Sequence, residues 1–162
     1  MTAQWPRLTA LLLGLCLIGC GPSGLRPERG ISSALQRSSD SRRWPSMGNR
    51  WLASIASRNG RERVELVDLR NGQPVPLPGI NQADAQPISV SVSADGNRIA
   101  LIRSRNGRTE LMLYRRGVGL LQRLPVEPAG VPREVSLDGS GRLLAVQVSR
   151  QGKWDVDLIR LP

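Results

Sequence analysis

The sequence contains few side chains that could carry out acid–base or nucleophilic chemistry. It has no histidine, which excludes Ser-His-Asp and Cys-His catalytic groups and the usual zinc sites. Asp155 and Asp157 stand two residues apart, so on a strand both carboxylates would face the same side. Because Lys153 stands beside them, we interpret the pair as part of a solvated outer face and predict no catalytic residue.

The sequence predicts neither a metal site nor a cofactor site. The stretch DGSG at 138–141 begins like a calcium loop but lacks the further carboxylates that Ca²⁺ requires, and we interpret it as a turn. There is no Gly-x-Ser-x-Gly nucleophile elbow and no Gly-rich phosphate loop with Lys. We therefore expect a protein that is not an enzyme and that uses no cofactor.

Cations recur at three matching places in the chain. SRNGR occupies 57–61 and 104–108, and SRQGK occupies 149–153. If these stretches are hairpin corners, their side chains would lie along one edge of the fold as a basic rim. This rim is a candidate partner-binding surface, and the alternative is that its charges only keep the hairpin tips soluble. The members of the rim are Arg58, Arg61, Arg105, Arg108, Arg150 and Lys153.

The corners belong to a longer repeat. Residues 51–69, 98–116 and 143–161 align without a gap, at offsets of 47 and then 45 residues, which is typical of a repeat architecture. Each copy has a nearly continuous apolar run, a polar corner with Gly, and a second run in which apolar residues alternate. The first run is typical of a strand covered on both faces, and the second of a strand with one buried face.

Two such runs joined by a short Gly-containing loop predict a hairpin. The corner glycines are expected to have positive φ; they are Gly60, Gly107 and Gly152. Alternating runs at 88–93 and 134–137 lead into Asp-Gly turns, and short runs follow at 74–77 and 120–125. Each unit is thus predicted to be an antiparallel sheet of up to four strands in about 45 residues, which is the size of a β-propeller blade.

The middle unit resembles the repeat of TolB-type (WD40-like) propellers. Residues 93–116 follow that repeat as Ser-x-Asp-Gly, a strand with Ile-Ala, a Gly corner, and a strand with an aliphatic–Tyr pair. Ala94 and Leu101 replace the usual Pro and Phe, the third unit has two extra turn residues, and the first unit lacks the Asp-Gly turn. The resemblance implies an all-β fold of three antiparallel propeller-like blades over 46–162. Their expected bounds are about 46–80, 86–126 and 132–162.

Three blades are fewer than the roughly four to eight with which propellers close. This partial propeller is expected to expose an apolar flank at each end and a free strand edge on its last unit. Two copies could self-associate into a six-bladed ring, or the flanks could dock onto a larger partner. A third alternative is that the three sheets are stable alone.

The N-terminal segment differs from the repeats. One Arg precedes an apolar run from Leu8 to Gly19, which is too short for a membrane span and typical of a secretory signal. Leu17-Ile18-Gly19-Cys20 resembles the lipobox of bacterial lipoproteins, which implies cleavage after residue 19 and lipidation of Cys20. The alternative is an ordinary signal with an incidental Cys. In that family Gly21 would permit export to the outer membrane rather than retention at the inner one.

Residues 20–45 are polar and rich in Ser and Arg, and we predict that they form a flexible linker behind the lipidated Cys. Cys16 would leave with the signal, so no disulfide is expected. Arg37, Arg42 and Arg43 could lie against anionic headgroups. The alternative is that the linker is simply solvated.

The net charge of +10 is compatible with nucleic acid, acidic lipid or an acidic protein partner. The signal and the shortage of aromatic residues, with four Trp, one Tyr and no Phe, exclude nucleic acid as the expected partner. The resemblance implies a docking module for envelope proteins, exported and lipid-anchored on the periplasmic side. The alternative is a carbohydrate- or small-ligand-binding protein that uses its aromatic side chains. The candidates are Trp44, Trp51, Tyr114 and Trp154.

Overall fold

The computed structural model describes residues 28–162, so the predicted signal peptide and Cys20 lie outside the described residues. A short helix opens this part of the chain, and strands make up most of the rest. The helix is α1 (Arg29–Gln36). The strands are β1 (Ser41–Met47), β2 (Trp51–Arg58), β3 (Arg61–Asp68), β4 (Gln73–Val75), β5 (Ala85–Val92), β6 (Arg98–Arg105), β7 (Arg108–Arg115), β8 (Leu120–Leu124), β9 (Val131–Leu137), β10 (Leu143–Arg150) and β11 (Lys153–Arg160).

The strands form three antiparallel sheets in chain order, which we call blade 1 (β1–β4), blade 2 (β5–β8) and blade 3 (β9–β11). The first strand of each blade is its inner strand, since β1 contacts β5 and β5 contacts β9. The predicted all-β fold of three propeller-like blades is confirmed, and the stack is not closed. Within residues 28–162, no helix combines the length and the hydrophobicity needed to cross a bilayer.

The repeated corners follow from turn geometry. Each hairpin closes through two residues with positive φ, and two consecutive left-handed residues make the tight turn whose twist matches the flanking strands. Asn and Gly adopt this conformation at low cost, which accounts for the two Asn-Gly corners and confirms the predicted glycines. The pairs are Asn59-Gly60, Asn106-Gly107 and Gln151-Gly152.

An apolar core lies at each of the two interfaces between blades. The face of blade 1 that points towards blade 2 contributes Ile55, Val64 and Leu66 to the first core. The first two strands of blade 2 cover these side chains. Leu111 and Leu113 of blade 2 occupy the same repeat positions and are covered by blade 3. Each fully buried aliphatic side chain contributes about 1.5–3 kcal/mol, so these two interfaces hold the stack together.

The structure corrects the predicted linker. Blade 1 begins at Ser41 rather than at residue 46, and residues 29–36 form a helix within the segment predicted to be flexible. The sequence of β1 does not show the apolar alternation of a strand, because its positions that face blade 2, Arg43 and Ser46, carry polar side chains. Its register also shifts between Arg43 and Ser46, which further obscures the alternation of a strand.

Candidate functional site

The predicted basic rim lies on the three equivalent hairpin corners, but most of its charges are paired. Four of its six cations form ion pairs with carboxylates of the described residues. The pairs are Arg58 with Asp40, Arg105 with Asp84, Arg150 with Asp157, and Lys153 with Asp155. In the part of the chain that the structure describes, Arg61 and Arg108 have no carboxylate within 4.0 Å. The rim is therefore much less basic than the sequence indicates, and partner binding by it stays a prediction.

The carboxylates singled out in the sequence have structural partners. Asp157 accepts hydrogen bonds from Arg150, which hold the pKa of Asp157 below its usual value. Asp138 accepts hydrogen bonds from the Ser140 hydroxyl and from the main-chain N–H of Leu143, which lower its pKa to about 2. Asp138 therefore closes its own turn. Among residues 28–162 no three His, Cys, Asp or Glu side chains are grouped so as to hold a metal ion.

The aromatic side chains that a carbohydrate site would need are not brought together. Trp51 and Tyr114 are buried in the core between blades 1 and 2. Trp51 lies between two guanidinium groups and packs on the turn at Gly96, where a Cβ would be 2.5 Å from the ring. Trp44 and Trp154 are exposed but lie on different blades, in β1 and β11.

The outer flank of blade 1 carries a group of ion pairs with α1 beside them, which together we call the N-terminal cap. A cavity of about 440 Å³ lined by Leu35, Leu52 and Ser54 separates the helix from the sheet. Arg42 donates a hydrogen bond to the main-chain oxygen of Leu35 in α1 at 3.1 Å. The side chain of Asp40 is 2% exposed and binds Arg58 and Arg63. The Arg58 hydrogen bond, against the effect of burial, lowers the pKa of Asp40 to about 2.

At two positions this cap has polar side chains where blade 2 has apolar ones. Ser54 occupies the repeat position of Leu101 and Val146, and Glu65 occupies that of Met112, which is Asp157 in blade 3. Glu65 is bound by Arg42 at 2.8 Å, whereas the buried Ser54 hydroxyl has no hydrogen-bond partner. The expectation of an apolar flank at both ends is therefore wrong for this end, although Met47 at its inner edge is exposed.

At the other end of the stack, nothing in residues 28–162 covers the outward side of blade 3. We call this surface the open face. Its apolar side chains are Leu143, Ala145, Trp154, Val156 and Leu158, and its polar ones are Glu134, Ser136, Gln147, Ser149 and Arg160. Val156 and Leu158 are 67% and 68% exposed, whereas their repeat equivalents in blades 1 and 2 are at most 2% exposed.

The edge of blade 3 is also free within the described residues. In blades 1 and 2 the third strand pairs with a fourth strand, β4 or β8, whereas β11 is the last strand of its sheet. β11 pairs with β10 in unbroken register from Lys153 to Arg160 and contains no proline. The free edge predicted for the last unit is therefore present.

Successive blades are also joined by hydrogen bonds that repeat along the chain. The Ser46 hydroxyl of blade 1 accepts from the main-chain N–H of Val92 in blade 2 at 3.1 Å. The Ser91 hydroxyl of blade 2 accepts from the main-chain N–H of Leu137 in blade 3 at 2.9 Å. Sequence reasoning missed these serines, although their equal spacing in the repeat was a usable signal.

Main-chain groups in the turns form a second repeated link. The N–H of Asn49 donates to the Ala94 oxygen at 3.1 Å, and the N–H of Ala94 donates to the Gly139 oxygen at 2.9 Å. Blades 1 and 2 therefore each donate one N–H from the turn to the next blade and accept one in the equivalent serine hydroxyl. In blade 2 the Ser89 hydroxyl accepts a second N–H, from Val135 at 3.2 Å.

Solved structures share this arrangement of blades. TolB from Acinetobacter baumannii superposes with a TM-score of 0.57 at 20% identity, over 72% of this chain and 29% of that chain. The β-propeller domain of the Trilobed protease from Pyrococcus furiosus, described as having an open velcro topology, superposes with a TM-score of 0.51 at 12% identity, over 76% of this chain and 43% of that chain. The fold is thus that of a β-propeller. This chain spans less than half the length of either solved structure.

The sequence comparisons add no family to this result. No protein-family model matches the chain. No curated protein matches it either.

Proposed function

We propose that this chain is a non-enzymatic docking module of the bacterial envelope, and that the open face of blade 3 is its docking surface. The observation that carries the proposal is the exposure of Val156 and Leu158 at positions that are buried in both preceding blades. A contiguous exposed apolar surface is typical of protein–protein contact sites. The free edge of β11 adds main-chain donors and acceptors beside it.

The envelope location rests on the N-terminal sequence. The apolar run that ends at Gly19-Cys20 supports export and a lipid anchor on Cys20, and Gly21 supports the outer membrane over the inner one. The blades would then lie on the periplasmic side, where other envelope proteins are the available partners. The lack of histidine and the pairing of Asp157 with Arg150 support a non-enzymatic role.

Site-specific photocrosslinking in cells tests the docking surface. A photoreactive amino acid replaces Val156 or Leu158 in the full chain, and the matched control replaces Val118, which is 74% exposed but lies in the short turn after β7 of blade 2. We expect the same envelope protein to be crosslinked from both blade 3 positions and not from Val118. Cys20→Ala should abolish these adducts if the lipid anchor places the chain beside its partner.

Two results would contradict the proposal. Adducts that are no more frequent at the open face than at Val118 would remove it as a docking surface. Adducts formed only with a second copy of the chain would make it a self-association surface instead.

A further inference from the structure

The open face repeats the serine through which blades 1 and 2 hold the next blade. Ser46, Ser91 and Ser136 are equivalent, because each pairs across its sheet with the alanine of the repeat. The first two hydroxyls accept a main-chain N–H from the following blade. Ser136 is exposed at the open face and has no such donor within residues 28–162.

The turn of blade 3 repeats the main-chain link as well. Asn49, Ala94 and Gly139 are equivalent, and the N–H of the first two donates to the following blade. Gly139 lies in an exposed turn, and its N–H has no acceptor in the described part of the chain. The apolar pair, the serine hydroxyl and the turn N–H are thus all present on blade 3 without a partner.

The two filled interfaces specify what would fit the third. In blade 2 the donated N–H belongs to Val92 and the accepting oxygen to Ala94, and in blade 3 they belong to Leu137 and Gly139. The oxygen therefore lies two residues after the N–H, in the turn just beyond the end of the strand. The residue that donates and the residue two before it are buried aliphatics in both blades, with Val90 and Val135 as the earlier members.

On the premise of the proposed function, we infer that the docking partner presents a β-blade of its own to the open face. Its inner strand carries aliphatic side chains at residues n−2 and n. The N–H of residue n bonds to the Ser136 hydroxyl, and the oxygen of residue n+2 accepts from Gly139. The aliphatic side chains cover Val156 and Leu158, as blades 2 and 3 cover the equivalent pairs.

A second copy of this chain does not offer that surface. The flank of blade 1 that would face the open face of another copy carries α1 and the ion pairs of Asp40 and Glu65. Pro45 stands at the n−2 position of its inner strand, where blades 2 and 3 have Val90 and Val135. Head-to-tail closure would displace α1 and bury these charges, which is costly when any of them loses its partner.

The experiment supplies a blade and asks whether the open face binds it. The full chain, purified in detergent, is extended after Pro162 by a Gly/Ser linker and a second copy of residues 85–124, which is blade 2. A linker of about 20 residues reaches roughly 25 Å and holds the copy at a high effective concentration. The control extension carries Val92→Asp in the added copy, which places a charge against the apolar pair. Amide hydrogen exchange is measured at Gly139, Val156 and Leu158.

We expect the Gly139 amide to exchange at least tenfold more slowly with the added blade and to be unchanged with the control extension. Ser136→Ala should reduce the protection about fivefold, as expected for the loss of one hydrogen bond. Ser149→Ala, which removes a hydroxyl from the same face outside the repeated link, should leave the protection intact.

Three results would overturn the inference. The first is an unchanged Gly139 amide in the extended chain. The second is protection of alternate amides of β11 without Gly139, since that pattern indicates a single strand added to the edge. The third is concentration-dependent protection of Gly139 in the unextended chain, because a second copy would then fill the face.

The proposed function and the blade-type partner are tested by different experiments and can fail independently. If the in-cell crosslinks form but the added blade does not bind, docking stands and the blade-type partner is wrong. If the blade binds but no crosslinks form, the envelope docking role is wrong while the chemistry of the face holds.

Discussion

The outer flank of blade 1 carries Ser54 and Glu65 beneath helix α1, whereas the outer face of blade 3 carries Val156 and Leu158 with nothing over them in the described residues. Both surfaces derive from one repeat, in which these faces are buried between neighbouring blades. A stack of repeats needs a polar outer surface on its terminal unit to be soluble. Blade 1 has acquired such a surface, and blade 3 has retained the pattern of an internal blade.

The two surfaces differ in what they leave unpaired within the described residues. The N-terminal cap pairs its own charges, with Asp40 bound by two arginines. The open face keeps apolar side chains together with Ser136, whose equivalents are bound in both other blades. Mutations at matched positions of the repeat, and within the N-terminal cap, can therefore test whether the contrast is energetic.

The largest expected effect comes from the apolar repeat position that is buried in blade 1 and exposed in blade 3. Leu66→Ala should lower the free energy of unfolding by about 2–5 kcal/mol, because Leu66 is fully buried between blades. Leu158 occupies the same repeat position in blade 3, and Leu158→Ala should change the free energy of unfolding by no more than about 0.5 kcal/mol. Urea denaturation of the two variants measures both values. Equal losses would mean that the open face is covered in solution.

Removing the central charge of the N-terminal cap should have the next largest effect. Asp40→Asn should destabilise the chain by about 1–2 kcal/mol, since the buried carboxylate is replaced and the partly exposed Arg58 and Arg63 lose their counter-charge. Asp84→Asn is the matched control, because Asp84 pairs with Arg105 in solvent, and we expect no measurable loss. If the two variants denature alike, the cap contributes no more than a surface ion pair.

The cap should also make stability depend on acid pH. The Arg58 hydrogen bond lowers the pKa of Asp40 from 3.8 to about 2, so the unfolded chain binds the proton more readily than the folded one. This contribution is complete above pH 3.8 and is lost as the pH falls towards 2. Denaturation at pH 5, 4 and 3 should show a shallower decline for Asp40→Asn than for the unsubstituted chain.

Asp138 is the control for this pH dependence. Its pKa is also lowered to about 2, mainly by the Ser140 hydroxyl, but it lies in the turn of blade 3 and not in the cap. Asp138→Asn should remove its own part of the decline and leave the part due to Asp40. A decline that only Asp138→Asn affects would show that Asp40 is not paired in solution.

The smallest expected effect is at Ser54. Its buried hydroxyl has no hydrogen-bond partner, so Ser54→Ala should leave stability unchanged or raise it by up to about 1 kcal/mol. Thermal denaturation against Ser91→Ala, which removes a hydroxyl that is bonded to Leu137, measures the difference. Destabilisation by Ser54→Ala equal to that by Ser91→Ala would mean that the Ser54 hydroxyl is satisfied by water.

The blades could be predicted because their signals are local. The alternation of Leu111 and Leu113 and the Asn-Gly corner at 106–107 specify a hairpin wherever they occur. The N-terminal cap could not be predicted in this way, because Asp40, Arg58 and Arg63 meet only after β1 pairs with β2. The charge of the rim was overestimated for the same reason, since Asp84 approaches Arg105 only in the folded sheet.

The hydrogen bonds between blades join residues about one repeat apart, as Ser46 and Val92 do. No contact between blade 1 and blade 3 is needed to complete either interface. Each blade can therefore close on the one before it as soon as its own strands have left the ribosome, while the rest of the chain is still being made. Synthesis would then move a single apolar surface along the growing protein, with only the newest blade exposed to aggregation.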